Sequence, residues 1–132
     1  MSTLRPGDVE GALIALLRAA LGVHVSTRIP NPRPDRHVKV TRAGGNRANL
    51  IQERPLLIIE CWGPDSVAAF DLAADAWSAL DAANGTVVNG IALDFPTNSL
   101  ASPISMPDPD TSSPRYQFTC QVYARLSEDL GA

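Results

Sequence analysis

Apolar residues recur at helical spacing in two stretches of the chain. In the first stretch, Leu13 and Leu17 lie four positions apart within a run of further apolar residues. Asp8 precedes this run and can cap the free amides of a helix N-terminus, while Gly22 follows it and can end the helix. The pattern therefore predicts a helix over 8–21.

The second stretch begins after a Gly-Pro-Asp-Ser sequence and predicts a helix over 64–83. Asp71, Asp75 and Ser78 mark its solvent side. Asn84 and Gly85 end the pattern. The residues that we expect to face the core recur three and four positions apart, and they are Val67, Phe70, Ala73, Ala74, Trp77 and Leu80.

Alternation of apolar and polar residues predicts strands elsewhere in the chain. In the second of these strands, Val38 and Val40 should face the core, whereas His37, Lys39 and Thr41 should face solvent. The third has an unbroken apolar run, which is typical of a central strand covered by helix. The last alternates over eleven positions. The predicted strands are about 23–29, 37–42, 55–62, 86–95 and 115–126, and the fourth can be broken into two at Asn89-Gly90.

Three segments are rich in glycine or proline and predict connections. Alternating prolines at 30–34 indicate an extended connector. Gly44 and Gly45 lie in a segment with little periodicity, so 43–54 is predicted to be a long loop or a protruding hairpin tip. Residues 101–114 contain four prolines and predict a loop with a short edge strand near Ile104.

This order of elements predicts the fold class. Strands that follow one another, with two helices to cover them, indicate an α+β fold. We expect a single domain over 1–132, with a mostly antiparallel (mixed) β-sheet and both helices packed on one face. The other sheet face, with the polar side of the last strand, would then be available for a partner.

Composition narrows the class of protein. The chain has 132 residues, 45% hydrophobic and 19% charged, which is typical of a globular domain. A net charge of -3 argues against a dedicated nucleic-acid binder. The apolar run ending at Leu21 is too short to span a membrane, and the first residues do not resemble a signal peptide. We expect no membrane association and folding in a cytoplasm.

Candidate catalytic and ligand-binding groups are few. His24 and His37 lack the spacing of a metal site, and the sequence has neither a nucleophile elbow nor a phosphate-binding loop. Cys61 and Cys120 stand alone in apolar runs, which indicates buried free thiols. Glu60, in an apolar strand, is either a general base with a raised pKa or, more simply, the partner of an arginine. We predict no catalytic residue, cofactor or metal.

Charge is distributed unevenly along the chain. Residues 24–54 contain seven basic and two acidic side chains, whereas the rest contains four basic and twelve acidic ones. Such a chain can associate head to tail, basic surface on acidic surface. The basic residues could instead line a passage for DNA, or be solvated without any partner. These candidate subunit-interface, tube-interface or DNA-channel residues are Arg28, Arg33, Arg36, Lys39, Arg42, Arg47 and Arg54.

Several segments together resemble one family. They are the N-terminal helix, the connector Arg28-Ile-Pro-Asn-Pro-Arg-Pro-Asp-Arg, the strand end Arg42-Ala-Gly-Gly, the segment Arg54-Pro-Leu-Leu-Ile-Ile-Glu-Cys-Trp-Gly that leads into an Ala-rich helix, and the closing strand Pro114-Arg115-Tyr116-Gln117-Phe118-Thr119. From about Val9 to Leu126, the chain resembles the tail terminator family of long-tailed bacteriophages, also called minor tail protein U-like or tail completion proteins.

The resemblance implies a structural role in the virion rather than an enzymatic one. Six copies would form a ring at the head-proximal end of the tail tube, stop tube polymerisation and provide the docking surface for the head. The implied partners are the tail tube protein, a head-completion or connector protein, and DNA that passes through the ring without sequence recognition. The segment 43–54 is a candidate arm for contacting the tube or a neighbouring subunit, and the proline-rich segment 102–114 is an alternative.

Two other functions remain open on the sequence. A head–tail connector or neck subunit would also form a ring around the DNA path. A small α+β enzyme or ligand-binding domain, a different class, would place Glu60, His37 and Arg42 around an apolar pocket.

Overall fold

Two helices and ten strands make up the part of the chain described by the computed structural model, residues 3–96 and 99–129. The predicted domain 1–132 also includes positions 1–2, 97–98 and 130–132, which lie outside the described residues. In chain order the elements are β1 (Thr3–Arg5), α1 (Val9–Leu21), β2 (His24–Ser26), β3 (His37–Arg47), β4 (Gln52–Trp62), α2 (Ser66–Ala82), β5 (Val87–Val88), β6 (Ile91–Asp94), β7 (Ile104–Ser105), β8 (Arg115–Gln121), β9 (Tyr123–Arg125) and β10 (Ser127–Asp129).

The main sheet is mixed and largely antiparallel. Strand β2 runs parallel to β3, and the remaining described pairs are antiparallel. Strand β4 is central, since it pairs with β3 on one side and with β8 and β9 on the other. Both helices pack on one face of this sheet and against each other. The predicted α+β class, with two helices on one face, is confirmed.

Helix α1 forms where its sequence signals place it. The Asp8 carboxylate accepts a hydrogen bond from the Gly11 amide at 2.9 Å and caps the N-terminus. Gly22 adopts a left-handed conformation with φ of 65° and ends the helix. Asp8 is thus the cap rather than the first helical residue. The residues on the buried side are Val9, Ala12, Leu13 and Leu17.

Helix α2 buries a face that only partly matches the prediction, since Ala73 and Leu80 are buried as expected. Val67 and Phe70 were expected in the core, yet their exposed fractions are 71% and 45%. Three alanines and two leucines are buried instead, and the alanines let the helix approach the strands closely. Trp77 is only partly buried at the edge of the core. The buried residues of α2 are Ala69, Leu72, Ala73, Ala76 and Leu80.

The segment 43–54, predicted as a long loop or a protruding hairpin tip, is mostly a β-hairpin. Strand β3 continues to Arg47 and β4 begins at Gln52, so the connection is only four residues long. An irregularity between Arg42 and Gly45 shifts the register and is accommodated by two glycines with positive φ. The aperiodic sequence therefore reflects a bulge within a long hairpin.

The other strands are shorter than predicted. The strand predicted over 23–29 spans His24–Ser26, and the one over 86–95 is the hairpin β5–β6, broken at Asn89-Gly90 as the sequence indicated. The strand predicted over 115–126 is interrupted at Val122, opposite Pro55. Proline has no N–H to donate to the ladder there. An edge strand at Ile104 is present as β7.

The sheet has a covered face and an uncovered one. Residues that pair directly across antiparallel strands point to the same side. Val40, Ile59 and Phe118 pair in one row and are buried beneath the helices. The opposite side, here called the open face, bears the alternate residues of the same strands. In its centre are the half-buried residues Thr41, Leu56, Ile58, Thr119 and Gln121.

Candidate oligomerisation surfaces

The seven basic residues singled out from the sequence lie in separate places rather than in one patch. Lys39 and Arg54 lie on the open face, as their strand positions require. Arg42 and Arg47 lie on the helix side. The remaining three, Arg28, Arg33 and Arg36, lie on the connector between β2 and β3.

Arg42 holds the start of α1 to the β3–β4 hairpin. Its guanidinium donates to a carboxylate oxygen of buried Glu53 at 2.5 Å and to the Gly7 carbonyl at 3.3 Å. Its backbone amide donates to the Glu10 carboxylate at 2.7 Å. Arg42 therefore makes its hydrogen bonds within the domain rather than on an exposed surface.

Arg47 fixes the turn of the β3–β4 hairpin. Its guanidinium donates to the carbonyls of Asn49 and Leu50 at 3.0 and 2.6 Å. The Asn49 side chain accepts from the amides of Ile51 and Gln52 at 3.0 Å each. The turn is therefore held in one conformation with Leu50 at its tip, where the exposed fraction of Leu50 is 79%.

Arg54 is tied to the last long strand on the open face. It donates to the Tyr123 hydroxyl and to the Asn46 side chain, each at 3.2 Å, and its guanidinium carbon lies 5.7 Å from the Tyr123 ring centroid. The contact is a cation–π interaction, and Arg54 as a residue is half-buried with its Nε atom buried. Only part of Arg54 is thus accessible at the surface.

Arg33 belongs to a cluster around Trp62, at the end of the open face. The Asp108 carboxylate accepts from the Trp62 indole N–H at 3.0 Å and from Arg33 at 3.4 Å. It also accepts from the Asp110 amide, and this hydrogen bond is the main reason why the pKa of Asp108 lies below its ordinary value. Asp108 fixes the proline-rich segment 102–114 to the sheet, a role that its loop-like sequence context did not reveal.

His37 was predicted to face solvent but is fully buried. Its ring stacks on Trp62, and its Nδ1 lies 3.2 Å from the Pro34 carbonyl. Burial lowers the pKa of His37, and the nearby Arg33 charge adds to this effect. The strand pattern could not predict this burial, because the covering residues come from distant segments of the chain.

Glu60 pairs with Arg115, a residue outside the basic segment identified from the sequence. Arg115 donates to Glu60 at 2.9 Å and to the Met106 carbonyl at 2.7 Å, and its guanidinium carbon lies 5.7 Å from the Trp62 ring centroid. Glu60 and His37 point to the open face, whereas Arg42 lies on the helix side. The three residues of the enzyme hypothesis therefore do not surround a common pocket.

The two cysteines are buried free thiols, as expected. Burial is the main cause that raises the pKa of each to about 12. Among the described residues, no cluster of three or more His, Cys, Asp or Glu side chains is placed to hold a metal ion. No helix in the same part of the chain is both long and apolar enough to cross a membrane.

The open face has a basic excess at its two ends. Lys39 and the Glu60–Arg115 pair lie towards one end, and Arg54 and Arg125 lie towards the other. Asp94, paired with Tyr123 in the ladder, adds a second carboxylate. Four basic side chains thus share this face with two acidic ones. Arg125 was missed because it is far from residues 24–54 in sequence, although strand alternation could have placed it here.

The outward side of α2 has the opposite charge. Asp71, Asp75 and Asp81 are exposed on it, and the helix contains neither lysine nor arginine. Val67 and Phe70 are exposed on the same side, and Phe70 also contacts the edge of the Tyr116 ring with centroids 5.4 Å apart. We call this surface, comprising Val67, Phe70, Asp71, Asp75, Ser78 and Asp81, the outward face of α2.

The open face and the outward face of α2 lie on opposite sides of the domain, because α2 packs on the covered face of the sheet. One side is basic and the other is acidic and partly apolar. Neither a protein-family model nor a curated protein matches the chain.

Proposed function

We propose that this protein is a ring-forming tail terminator, a structural protein in the virion of a long-tailed bacteriophage. Six copies form a ring at the head-proximal end of the tail tube after synthesis in the host cytoplasm. One side of the ring binds the last tube ring, and the other side offers no further tube-binding surface. Growth of the tube therefore stops by geometry, without a chemical reaction, and the free side docks the filled head.

The observation that carries the proposal is the opposite charge on opposite sides of one domain. A surface that complements a different surface of the next copy makes a heterologous contact, and repeated contacts of this kind close into rings when the rotation allows. The basic open face and the outward face of α2 form such a complementary pair.

Ion pairs inside the domain hold its segments together. The pairs Arg33–Asp108 and Arg115–Glu60 join segments that are 75 and 55 positions apart in the chain, and Arg42–Glu53 joins the two strands of the β3–β4 hairpin. They hold connectors and a hairpin to the sheet, so these charged groups stabilise the fold.

The tail tube protein, the head-completion or connector protein and DNA are the partners that this role requires. The rigid hairpin tip, with exposed Leu50 and Ile51, is the candidate contact with the tube protein. Exposed Arg28 and Arg36 are the candidates for weak, sequence-independent contact with DNA phosphates in the ring opening.

The mass of the purified protein in solution tests ring formation. We expect light scattering on a sizing column to give a species of roughly six times the 14.0 kDa monomer that loosens at high salt. The assay should span a wide concentration range and include added tube ends, since a ring can also assemble on a template. A protein that remains monomeric under all these conditions contradicts the proposal.

Tube capping tests the specific role. When tail tube protein polymerises in the presence of this protein, electron microscopy should show shorter tubes with one modified end. Leu50→Asp should reduce capping. Val87→Asp, a change at an exposed apolar residue outside the β3–β4 hairpin, should not. Binding to head connectors without any effect on tube length would favour a neck subunit instead.

A further inference from the structure

The two oppositely charged faces identify how neighbouring copies meet. They lie on opposite sides of the sheet, so a copy that uses one of them still has the other free. A contact between them is heterologous and adds copies in one direction. A two-fold dimer built from either face alone would instead place like charges together, which is unfavourable.

Helix α2 is about as long as the distance between the basic rows of the open face, although its carboxylates span only part of that length. The helix has 17 residues and is about 25 Å long at 1.5 Å per residue, and the ten positions from Asp71 to Asp81 cover about 15 Å of it. On the open face, Lys39 lies beside Glu60 and Arg125 beside Gln52. Eight residues of β4 separate these rows, which is about 26 Å at 3.3 Å per residue. The helix can therefore lie across the sheet with Asp75 and Asp81 near one basic row and its N-terminal part over the centre of the open face.

Both faces also have accessible apolar residues. The centre of the open face, between its charged ends, has the half-buried apolar residues Leu56 and Ile58 flanked by threonine and glutamine. On the outward face of α2, Val67 and Phe70 expose apolar surface beside the carboxylates. Val67 and Phe70 are at the N-terminal end of α2, and when they lie over the centre of the open face the contact has the apolar centre and polar rim that are usual in protein interfaces.

We infer that the outward face of α2 in one copy docks on the open face of the next copy, and that this contact, repeated, closes the ring. The inference rests on the proposed function and supplies its subunit contact. The occupant of the open face is then a second copy of this chain. DNA has a separate set of basic residues on the connector.

Charge reversal on each face tests this contact. In one variant, Lys39→Glu and Arg125→Glu make the open face acidic, and in the other, Asp71→Lys and Asp75→Lys make the outward face of α2 basic. Each variant alone has like charges on both faces and should lose the high-mass species. An equimolar mixture should recover it, because the two variants can alternate around a ring with an even number of copies.

A matched control separates this contact from a general effect of charge. Arg28→Glu with Arg36→Glu makes, on the connector, the same change in net charge as the open-face variant and should leave the mass of the ring unchanged when no DNA is present. Thermal unfolding of every variant checks that the domain is folded. Recovery in the mixture is itself a second check, since an unfolded variant cannot restore assembly.

The outcomes distinguish this contact from the proposed function. If either variant alone keeps the wild-type mass, or if the mixture fails to recover it while both variants are folded, the contact is overturned and the ring must use other surfaces. In that case the proposed function stands as long as the wild-type protein forms rings and caps tubes. If the wild-type protein forms no ring in solution or on tube ends, both the contact and the proposed function are overturned.

Discussion

The His37 imidazole stacks on the Trp62 indole, with ring centroids 4.5 Å apart and planes 8° from parallel. The two residues pair directly across β3 and β4, at the end of the open face. The Arg33 and Arg115 guanidinium carbons lie 5.8 and 5.7 Å from the Trp62 ring centroid, respectively. Segments from three parts of the chain therefore contact one indole. Variants in this cluster test whether these contacts hold the connectors to the sheet.

Stability should fall on mild acidification because of His37. Burial lowers the pKa of His37 below 6.5, Arg33 and His24 lower it further, and the Pro34 carbonyl and Asp108 oppose this. Below pH 6.5 the unfolded chain binds a proton that the folded chain does not, so stability is full above this pH and is lost as the pH falls towards the folded-state pKa. Urea unfolding at about pH 7.5 and 5.5 measures the change.

Variants of the two histidines assign this pH dependence. His37→Phe keeps an aromatic ring against Trp62 and should flatten the profile between these pH values. His24→Gln alters an exposed histidine and should leave most of the slope in place. An unchanged slope in His37→Phe would show that another group titrates.

Asp108→Asn should destabilise the fold by about 1–3 kcal/mol, since it weakens the hydrogen bonds to the Trp62 indole and Arg33. Because the folded-state pKa of Asp108 is lowered, its contribution is present above the ordinary value of 3.8 and is lost as the pH falls through the folded-state pKa. The matched control is Asp110→Asn, the same change at an exposed residue, which should cost less than about 0.5 kcal/mol in urea unfolding. Equal losses would contradict this account.

Arg42→Ala should cost about 2–3 kcal/mol, a value reduced from that of a fully buried pair because the Arg42 side chain is 27% exposed. The change leaves the buried Glu53 carboxylate without its guanidinium partner. Arg36→Ala, at an exposed arginine of the connector, should change the free energy of unfolding by less than about 0.5 kcal/mol. Denaturant unfolding compares the two, and a small effect of Arg42→Ala would mean that Glu53 finds another partner.

Local signals predicted α1 well, because its cap and its terminating glycine are adjacent to it in sequence. Local signals did not predict correctly which face of α2 packs on the sheet. Apolar residues surround much of that helix, and periodicity does not distinguish an alanine that allows close packing from a large side chain such as Phe70. The prediction that His37 faces solvent was wrong for a different reason, since the ring of His37 is covered by Trp62, 25 positions away. The register of β3 and β4 places these two residues side by side, and local sequence does not specify that register.

The sequence predicted some residues of the candidate surfaces and missed others. Counting charges along the chain found Lys39 and Arg54, which lie on the open face, but also included Arg42, which lies on the helix side. It missed Arg115 and Arg125, which register with β4 brings to the open face. A cluster of charges in sequence becomes a surface only after alternation divides it between two faces.

The orientation of α2 gives a direct stability test. Leu80→Ala removes a fully buried side chain and should cost about 2–5 kcal/mol. Val67→Ala changes a side chain that is 71% exposed and should cost about 0.5 kcal/mol or less in the monomer. Measurement of both by urea unfolding at low protein concentration reports which face of the helix packs on the sheet. A larger loss for Val67→Ala would reverse the assignment.

The bulge in the β3–β4 hairpin makes two neighbouring glycines unequal. Both have positive φ, 91° at Gly44 and 112° at Gly45. A Cβ at Gly44 would meet open space, whereas one at Gly45 would overlap the Arg54 carbonyl oxygen across the hairpin. Gly44→Ala should therefore cost only the backbone strain, about 1–2 kcal/mol, and Gly45→Ala should cost more than about 3 kcal/mol because the strands must also separate. Equal losses in urea unfolding would contradict the close approach of Gly45 to Arg54 across the hairpin.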